Sequence, residues 1–109
     1  LTSLNASSLS AIHINQTIDD RVLFFAELAA QKQLDGVVCS AHEAQLIRQD
    51  LSHPLTLVVP GIRLPDSPVS DQDRITTPDI ARANGSDFLV VGRPITEAIR
   101  PLEVIGELV

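Results

Sequence analysis

Three short apolar runs, separated by stretches with helical periodicity, constrain the fold of this chain more than any other feature. The runs span residues 36–40, 55–60 and 87–92. Each is rich in β-branched residues and continuous, without alternation between apolar and polar side chains. Such runs are typical of strands that are buried on both faces, as in a parallel sheet. The opening residues 1–3 are a candidate for the end of a further strand.

Helical signals fill the gaps between these runs. Residues 19–34 carry apolar side chains at helical spacing, with acidic residues in the first turn. The segment 40–43 matches a capping box, which predicts a helix that begins directly after the first run and continues to about residue 50. A Pro in the first helical position predicts a third helix over 77–85, and another Pro opens a last helix over 101–109.

The predicted order is therefore strand, helix, strand, loop, helix, strand, helix. Right-handed crossovers between the strands follow from this order, so we expect an α/β fold with a parallel sheet. Residues 61–76 hold two Pro and three Asp and have no periodic pattern. A long loop after the carboxyl end of a strand is typical of a lid over a ligand. We expect one partial domain over 1–109, with a lid loop at about 61–76.

Composition and charge exclude several classes of function. The net charge of −6 gives no general attraction to nucleic acid or to an anionic membrane, and no apolar run is long enough to span a bilayer. The single cysteine, Cys39, excludes an internal disulfide and fits a reducing cytosol. His13, His42 and His53 lack metal-ligand spacing, so we expect no metal site. The chain contains no Met and opens on Leu1, which suggests an internal start.

Two arginines stand in matching places after predicted strands. Ligands of α/β proteins bind beyond the carboxyl ends of parallel strands, and Arg63 and Arg93 follow the second and third runs, each shortly after a Gly. Two guanidinium groups there would form a clamp for a phosphate, with backbone N–H groups near Gly92 as further donors. The alternative is that each Arg is a surface residue or pairs with Asp71 or Asp87. The matched positions favour the phosphate clamp.

Other candidate residues are weaker when taken singly. Gln72, in the predicted loop, has an acceptor and two donors that would tie a closed lid to a ligand. Thr2 would offer a hydroxyl at a strand mouth. Their simpler interpretations are a solvated loop residue and a frayed terminus. Cys39 is predicted to be a small core residue rather than a nucleophile, and Glu43 a helix cap rather than a base.

Four segments, in order along the chain, resemble the bacterial orotidine 5′-monophosphate decarboxylases. Leu34–Ala41 resembles that family's DGVVCSA strand, and Leu1–Ser3 resembles the LTS that ends its fifth strand. Pro60–Arg63 with the later Asp71–Arg74 resembles its PGIR…DQ-R lid loop. Val90–Thr96 resembles its VGRPIT phosphate strand. No segment is decisive alone, but the ordered set is highly specific.

The resemblance implies the C-terminal half of a TIM (β/α)8 barrel, from the end of strand five through the final helix. It implies a decarboxylase without a cofactor, which converts orotidine 5′-monophosphate (OMP) to UMP in the cytoplasm as a homodimer. Arg63 and Arg93 would bind the 5′-phosphate, with a backbone contact at Gly92. Gln72 would bridge lid, phosphate and pyrimidine, and Thr2 would contact the pyrimidine ring.

The same resemblance implies a catalytic network that this chain lacks. The family's alternating Lys and Asp residues, with a D-x-K-x-x-D motif, lie on earlier strands, and the only lysine here is Lys32, within a predicted helix. We therefore expect no catalytic residue in this chain. Two alternatives stay open: a non-catalytic phosphate-binding half-barrel, and a related sugar-phosphate decarboxylase or epimerase. The DGVVCSA and DQ-R segments disfavour the second.

Overall fold

The computed structural model describes residues 6–64 and 76–108 of the 109-residue chain. In chain order, its elements are α1 (Ala6–Ala11), α2 (Ile18–Gln31), β1 (Gly36–Val38), α3 (Ala41–Asp50), β2 (Thr56–Val59), α4 (Pro78–Ala83), β3 (Phe88–Leu89), α5 (Arg93–Thr96) and α6 (Pro101–Leu108). The predicted alternation of strands and helices is confirmed. The short helices α1 and α5 were not predicted. None of the helices in the described ranges has the length and apolar character required to cross a membrane.

The three strands form a parallel sheet in the order β1-β2-β3. Val38 pairs with Val58 between the first two strands, and Val59 pairs with Leu89 between the second and third. The predicted parallel sheet is therefore confirmed. Because each connection between neighbouring strands contains a helix, α3 and α4 are the crossover helices.

Helices cover only one face of this sheet in the described structure. Successive strand residues point to opposite faces, and Val37, Leu57 and Leu89 share the face that packs into the core. On the other face, Val38 is 68% exposed and Phe88 is 61% exposed. The prediction of two buried faces is therefore wrong for the described residues, because no element among them covers the second face.

The core is aliphatic, as the composition predicts. Leu57, Val59, Ala44 and Ala81 have no exposed surface, and the two alanines allow α3 and α4 to approach their neighbours closely. All three Phe side chains lie at the surface, at 48 to 61% exposure. Burial of aliphatic side chains between the helices and one sheet face is therefore the main stabilising interaction of this chain.

Side-chain caps fix the starts of the helices that follow the loops and strands. The Ser40 hydroxyl accepts a hydrogen bond from Glu43 N (3.3 Å), while Glu43 Oε2 accepts from Ser40 N (2.7 Å). This confirms the predicted capping box. Thr17 and Asp20 form a second box at the start of α2. Thr77 caps α4 ahead of a Pro in its first turn, as predicted.

Three helices end in a left-handed turn, and only one of these turns contains the expected glycine. The positive φ angles are 60° at His13 after α1, 58° at Gln33 after α2 and 88° at Gly85 after α4. In the second turn, Leu34 N donates to Ala29 O at 3.0 Å, which is the hydrogen bond of a Schellman motif. The turn ends α2 at Gln31, before the predicted end at residue 34.

One arginine joins α3 to the start of two strands. The guanidinium of Arg48 donates to Gly85 O (3.0 Å), Leu55 O (2.8 Å) and Asp87 Oδ2 (2.6 Å). The same carboxylate oxygen accepts a hydrogen bond from Leu57 N at 2.7 Å. We call this group of five residues the Arg48 clamp. It fixes the amino ends of β2 and β3 relative to each other, and thereby positions their carboxyl ends.

Candidate functional site

The carboxyl ends of β2 and β3 bring the two predicted arginines to the same edge of the sheet. Val59 and Leu89 are paired neighbours in the parallel register. Arg63 follows Val59 by four positions, and Arg93 follows Leu89 by four positions. Parallel strands end at a common edge, so both arginines lie beyond that edge, as the sequence predicts.

Contacts on both sides hold the backbone of Arg63. Gly61 has a φ of 80°, which turns the chain directly after β2, and the Ile62 side chain is 1% exposed and belongs to the core. Arg63 N donates to Thr76 O at 2.9 Å, next to a parallel bridge between Ile62 and Thr76. The guanidinium is half-buried and donates to Ile62 O at 3.2 Å. Arg63 therefore lies beside Thr76, next to the two residues, 64 and 76, that flank the segment 65–75.

Arg93 is exposed and opens the short helix α5. Gly92 precedes it, and Gly92 O accepts hydrogen bonds from Ile95 N (2.9 Å) and Thr96 N (3.1 Å). A Cβ atom added at Gly92 would meet no heavy atom within 4 Å, so a ligand can reach this backbone. Helix α5 was not predicted from the sequence. A proline in the first turn, here Pro94 shortly after Gly92, is a signal that indicates the start of a helix.

Neither arginine is neutralised by a neighbouring carboxylate in the described ranges. The alternative that Asp87 pairs with Arg93 is wrong, because Asp87 belongs to the Arg48 clamp. Among residues 6–64 and 76–108, no ion pair involves Arg63 or Arg93. No carboxylate in these ranges therefore competes with an anion for their charges. The alternative partner Asp71 lies outside the described residues.

The other two predicted contacts are not placed by the structure. Thr2 and Gln72 lie outside the described residues, as does most of the predicted loop 61–76. Of the five predicted ligand-binding residues, the structure brings Arg63, Gly92 and Arg93 to one edge of the sheet. The chemical role assigned to each of the five stays a prediction.

Cys39 and Glu43 have the structural roles that were predicted for them. Cys39 is 3% exposed, and burial together with the nearby Glu43 carboxylate raises its pKa from 9.0 to about 11. A thiol with so high a pKa is protonated at neutral pH and is a poor nucleophile. Glu43 is 2% exposed and caps α3. Neither residue provides a general acid or base at this edge.

The remaining candidates for catalysis or metal binding are the three histidines and Lys32. The three histidines are exposed, and the described part of the chain contains no group of three or more His, Cys, Asp or Glu side chains that could hold a metal ion. Lys32, the only lysine, is the C-terminal cap of α2 and precedes β1. It therefore lies at the amino edge of the sheet, away from Arg63 and Arg93. The candidate site therefore has no lysine, since Lys32 is the only one in the sequence.

Known proteins that resemble this chain in sequence and fold include several orotidine 5′-phosphate decarboxylases. Orotidine 5′-phosphate decarboxylases of Vibrio cholerae (strain O395) and Legionella pneumophila (strain Philadelphia 1) are 50% and 45% identical over 108 residues, or 99% of this chain and 47% of theirs. The crystal structure of the Lactobacillus acidophilus enzyme of that name matches with a TM-score of 0.80 at 31% identity, over 99% of this chain and 44% of that one. An uncharacterized conserved protein from Geobacillus kaustophilus matches with a TM-score of 0.77 and 34% identity.

The chain spans about half the length of the curated relatives that it matches. Its parallel strands and crossover helices accordingly form part of a TIM barrel, as expected. The family model named Orotidine 5′-phosphate decarboxylase / HUMPS matches residues 1–108. Because the match extends over nearly every residue, the chain belongs to the orotidine 5′-phosphate decarboxylase / HUMPS family and corresponds to the C-terminal half of its members.

Proposed function

We propose that this chain works within an orotidine 5′-phosphate decarboxylase, which converts OMP to UMP and CO2. The chain supplies the grip on the phosphate and the pyrimidine, and the rest of the enzyme supplies the catalytic groups. The observation that carries this proposal is the family match over residues 1–108, together with relatives of that name at 45 to 50% identity.

We assign binding of the phosphate to the guanidinium groups of Arg63 and Arg93. Gly92 lies between the end of β3 and Arg93. A planar guanidinium binds phosphate oxygens in a bidentate manner, and two of them match the double charge of a phosphate monoester. Open space beside Gly92 lets a phosphate oxygen reach the backbone. Because the net charge of the chain is −6, a bound anion depends on these focused cations rather than on a general field.

Thr2 and Gln72 are assigned to the pyrimidine side of the substrate. A hydroxyl and a carboxamide recognise the carbonyl and N–H groups of a pyrimidine through directed hydrogen bonds. Contacts to the distant phosphate hold the substrate so that the ring stays aligned with the catalytic groups. In this proposal Gln72 also links the loop at 61–76 to the bound phosphate.

The reacting bond is handled outside this chain. Decarboxylation breaks the bond between the ring carbon and the carboxylate, leaves the electron pair on the ring carbon, and needs an acid to deliver a proton there. A fixed cation beside that carbon stabilises the developing charge. Lys32 lies at the opposite edge of the sheet, so the chain holds no lysine for this role. We therefore expect this chain alone to be inactive.

Assembly and location are also proposals, based on the family resemblance. We propose a homodimer in the cytoplasm, with a small-molecule nucleotide as its ligand and with no nucleic-acid partner, membrane partner or cofactor. The composition supports this in part, because the acidic net charge disfavours binding to nucleic acid and to anionic lipid.

The phosphate grip is tested by measuring UMP binding to the complete enzyme by calorimetry. Arg63→Ala and Arg93→Ala should each weaken binding about ten- to a hundredfold, since a hydrogen bond to a charged group contributes roughly 1.5–3 kcal/mol. Arg100→Ala is the matched control, because Arg100 is exposed and pairs with Glu103 at 2.9 Å. Unchanged affinity in Arg93→Ala would remove that residue from the grip.

The assignment of catalysis to residues outside this chain is tested with the 109-residue chain itself. Mixed with OMP, the chain should leave the orotate absorbance unchanged over hours, whereas the complete enzyme should abolish it. Turnover by the chain alone would contradict the assignment of catalysis to other residues. A complete protein without a D-x-K-x-x-D motif would instead favour a non-catalytic phosphate-binding protein.

A further inference from the structure

Apart from Thr56, the uncovered face of the sheet is apolar, and it carries no charge. By the strand register, this face presents Val38, Val58, Phe88 and Val90, and we call these four residues the open sheet face. Val38, Phe88 and Val90 are 68%, 61% and 50% exposed. An exposed and contiguous apolar face of this kind marks a surface that binds another protein element.

A second apolar surface lies at the end of the chain. Ile99, which precedes α6, and Leu102 and Ile105 within it recur every three positions and are 100%, 83% and 41% exposed. We call them the α6 stripe. Helix α6 packs on α5, and Leu108 at its end packs against the core beside β3. The α6 stripe therefore lies on the β3 side of the sheet. The rest of helix α6 packs against α5 and, through Leu108, against the core.

The helix-covered side of the sheet, in contrast, packs into the core of the chain. Leu57, Val59 and Ala81 have no exposed surface, and the Arg48 clamp joins α3 to β2 and to the entry of β3. All of these contacts are made within the chain. The chain thus has a core of its own, and the open sheet face and the α6 stripe are among the apolar surfaces that this core leaves exposed.

We propose that this chain is a folding unit whose open sheet face and α6 stripe bind, without a covalent link, a polypeptide equivalent to the part of its relatives that it does not span. The length comparison selects this occupant, because the chain covers 47% of the curated relatives, so each of them carries about as much sequence again. At these two surfaces a second copy of the chain is disfavoured, since each copy has a net charge of −6. The inference does not depend on the proposed catalysis.

The test is co-expression with a tagged segment of the Vibrio cholerae relative, namely the part without a counterpart in this chain. The untagged chain should co-purify as a 1:1 complex by light scattering. Val90→Asp and Leu102→Asp should weaken binding at least about a hundredfold, because each places a carboxylate in an apolar contact. Ile80→Asp is the matched control, since Ile80 is 51% exposed, as Val90 is 50% exposed, but lies on α4, away from the open sheet face.

The outcomes of this test either support or overturn the proposed surface and partner. Circular dichroism of the free variants should be unchanged, because the substituted side chains are exposed in the free chain. Complexes that tolerate Val90→Asp as well as Ile80→Asp would overturn the assigned surface. A 1:1 association of the chain with itself that is lost in Val90→Asp would overturn the assigned partner.

A second measurement covers the case in which the tagged segment is insoluble. The chain is joined covalently to that segment, and Val90→Cys is labelled with a maleimide in the joined and the free chain. Cys39 is 3% exposed and adds little background. Labelling at least tenfold slower in the joined protein than in the free chain supports the assigned surface, and equal rates overturn it. Because neither readout is turnover, a failed assay for decarboxylation leaves this conclusion unaffected.

Discussion

Replacing Arg48 by methionine should destabilise the fold without exposing the core. The substitution keeps most of the aliphatic stem but removes three hydrogen bonds, to Gly85 O, Leu55 O and Asp87 Oδ2. The side chains of Arg48 and Asp87 are 31% and 44% exposed, so water compensates part of the ion pair, which we take as at most about 1 kcal/mol. The two carbonyl bonds add roughly 1 kcal/mol each. The expected loss is therefore about 2–3 kcal/mol, a large share of the ~5–15 kcal/mol typical of a domain.

Urea denaturation followed by circular dichroism measures this loss, because the chain has no Trp or Tyr for fluorescence. With a denaturant slope of about 1–3 kcal/mol per molar urea, the midpoint should fall by roughly 1–2 M. Asp87→Asn separates charge from hydrogen bonding, because the carboxamide oxygen can still accept from Leu57 N. It should lower the free energy of unfolding by about 1 kcal/mol or less.

The matched control is Arg100→Met, which removes an ion pair whose side chains are 75% and 59% exposed. Its free energy of unfolding should stay within about 0.5 kcal/mol of the parent chain. A midpoint for Arg48→Met that equals that of Arg100→Met would refute the reasoning, because the carbonyls of the clamp would then be satisfied equally well by water.

Two further substitutions test the packing and the buried thiol. Gly36→Ala should destabilise by more than about 3 kcal/mol in the same urea assay, since the added Cβ would lie 2.7 Å from Thr56 Cβ and closer still to Thr56 O. Gly106→Ala, with no atom within 4 Å of its added Cβ, should be neutral or stabilising; equal effects would contradict the close β1–β2 contact. For Cys39, whose pKa is raised to about 11, the unfolded thiol ionises first, so stability is fully present below pH 9 and falls between pH 9 and 11. From pH 8 to pH 10 the loss should be about 1 kcal/mol and should be absent in Cys39→Ala; equal pH slopes in both proteins would exclude this linkage.

Features specified by residues close together in the sequence were predicted correctly. The capping box of Ser40 and Glu43 closes within one helical turn, and the proline at the start of α4 fixes its own backbone angle. The parallel sheet follows from helices that separate the strands, because such a crossover forces neighbouring strands into the same direction. The common position of Arg63 and Arg93 then follows from that topology.

Features that depend on distant partners could not be predicted in the same way. The turn at Gln33 has a positive φ without a glycine, since the hydrogen bonds of the turn offset the strain of a non-glycine residue. The pairing of Asp87 with Arg48 spans 39 positions in the sequence, and it was missed because Arg93 is much closer along the chain. The uncovered sheet face was missed because an apolar run indicates that both faces are apolar, without indicating which chain covers them.

Stability and ligand binding are assigned to opposite ends of the same two strands. The Arg48 clamp acts at the amino ends of β2 and β3, while Arg63 and Arg93 lie beyond their carboxyl ends, six positions after the clamp residues Leu57 and Asp87. In the complete enzyme, Arg93→Ala should therefore weaken UMP binding without lowering the urea midpoint. Arg48→Met should lower the midpoint and leave UMP affinity within about twofold under conditions where the protein is folded. A parallel loss of both properties in either variant would show that the two strand ends are coupled, and the proposed separation would be wrong.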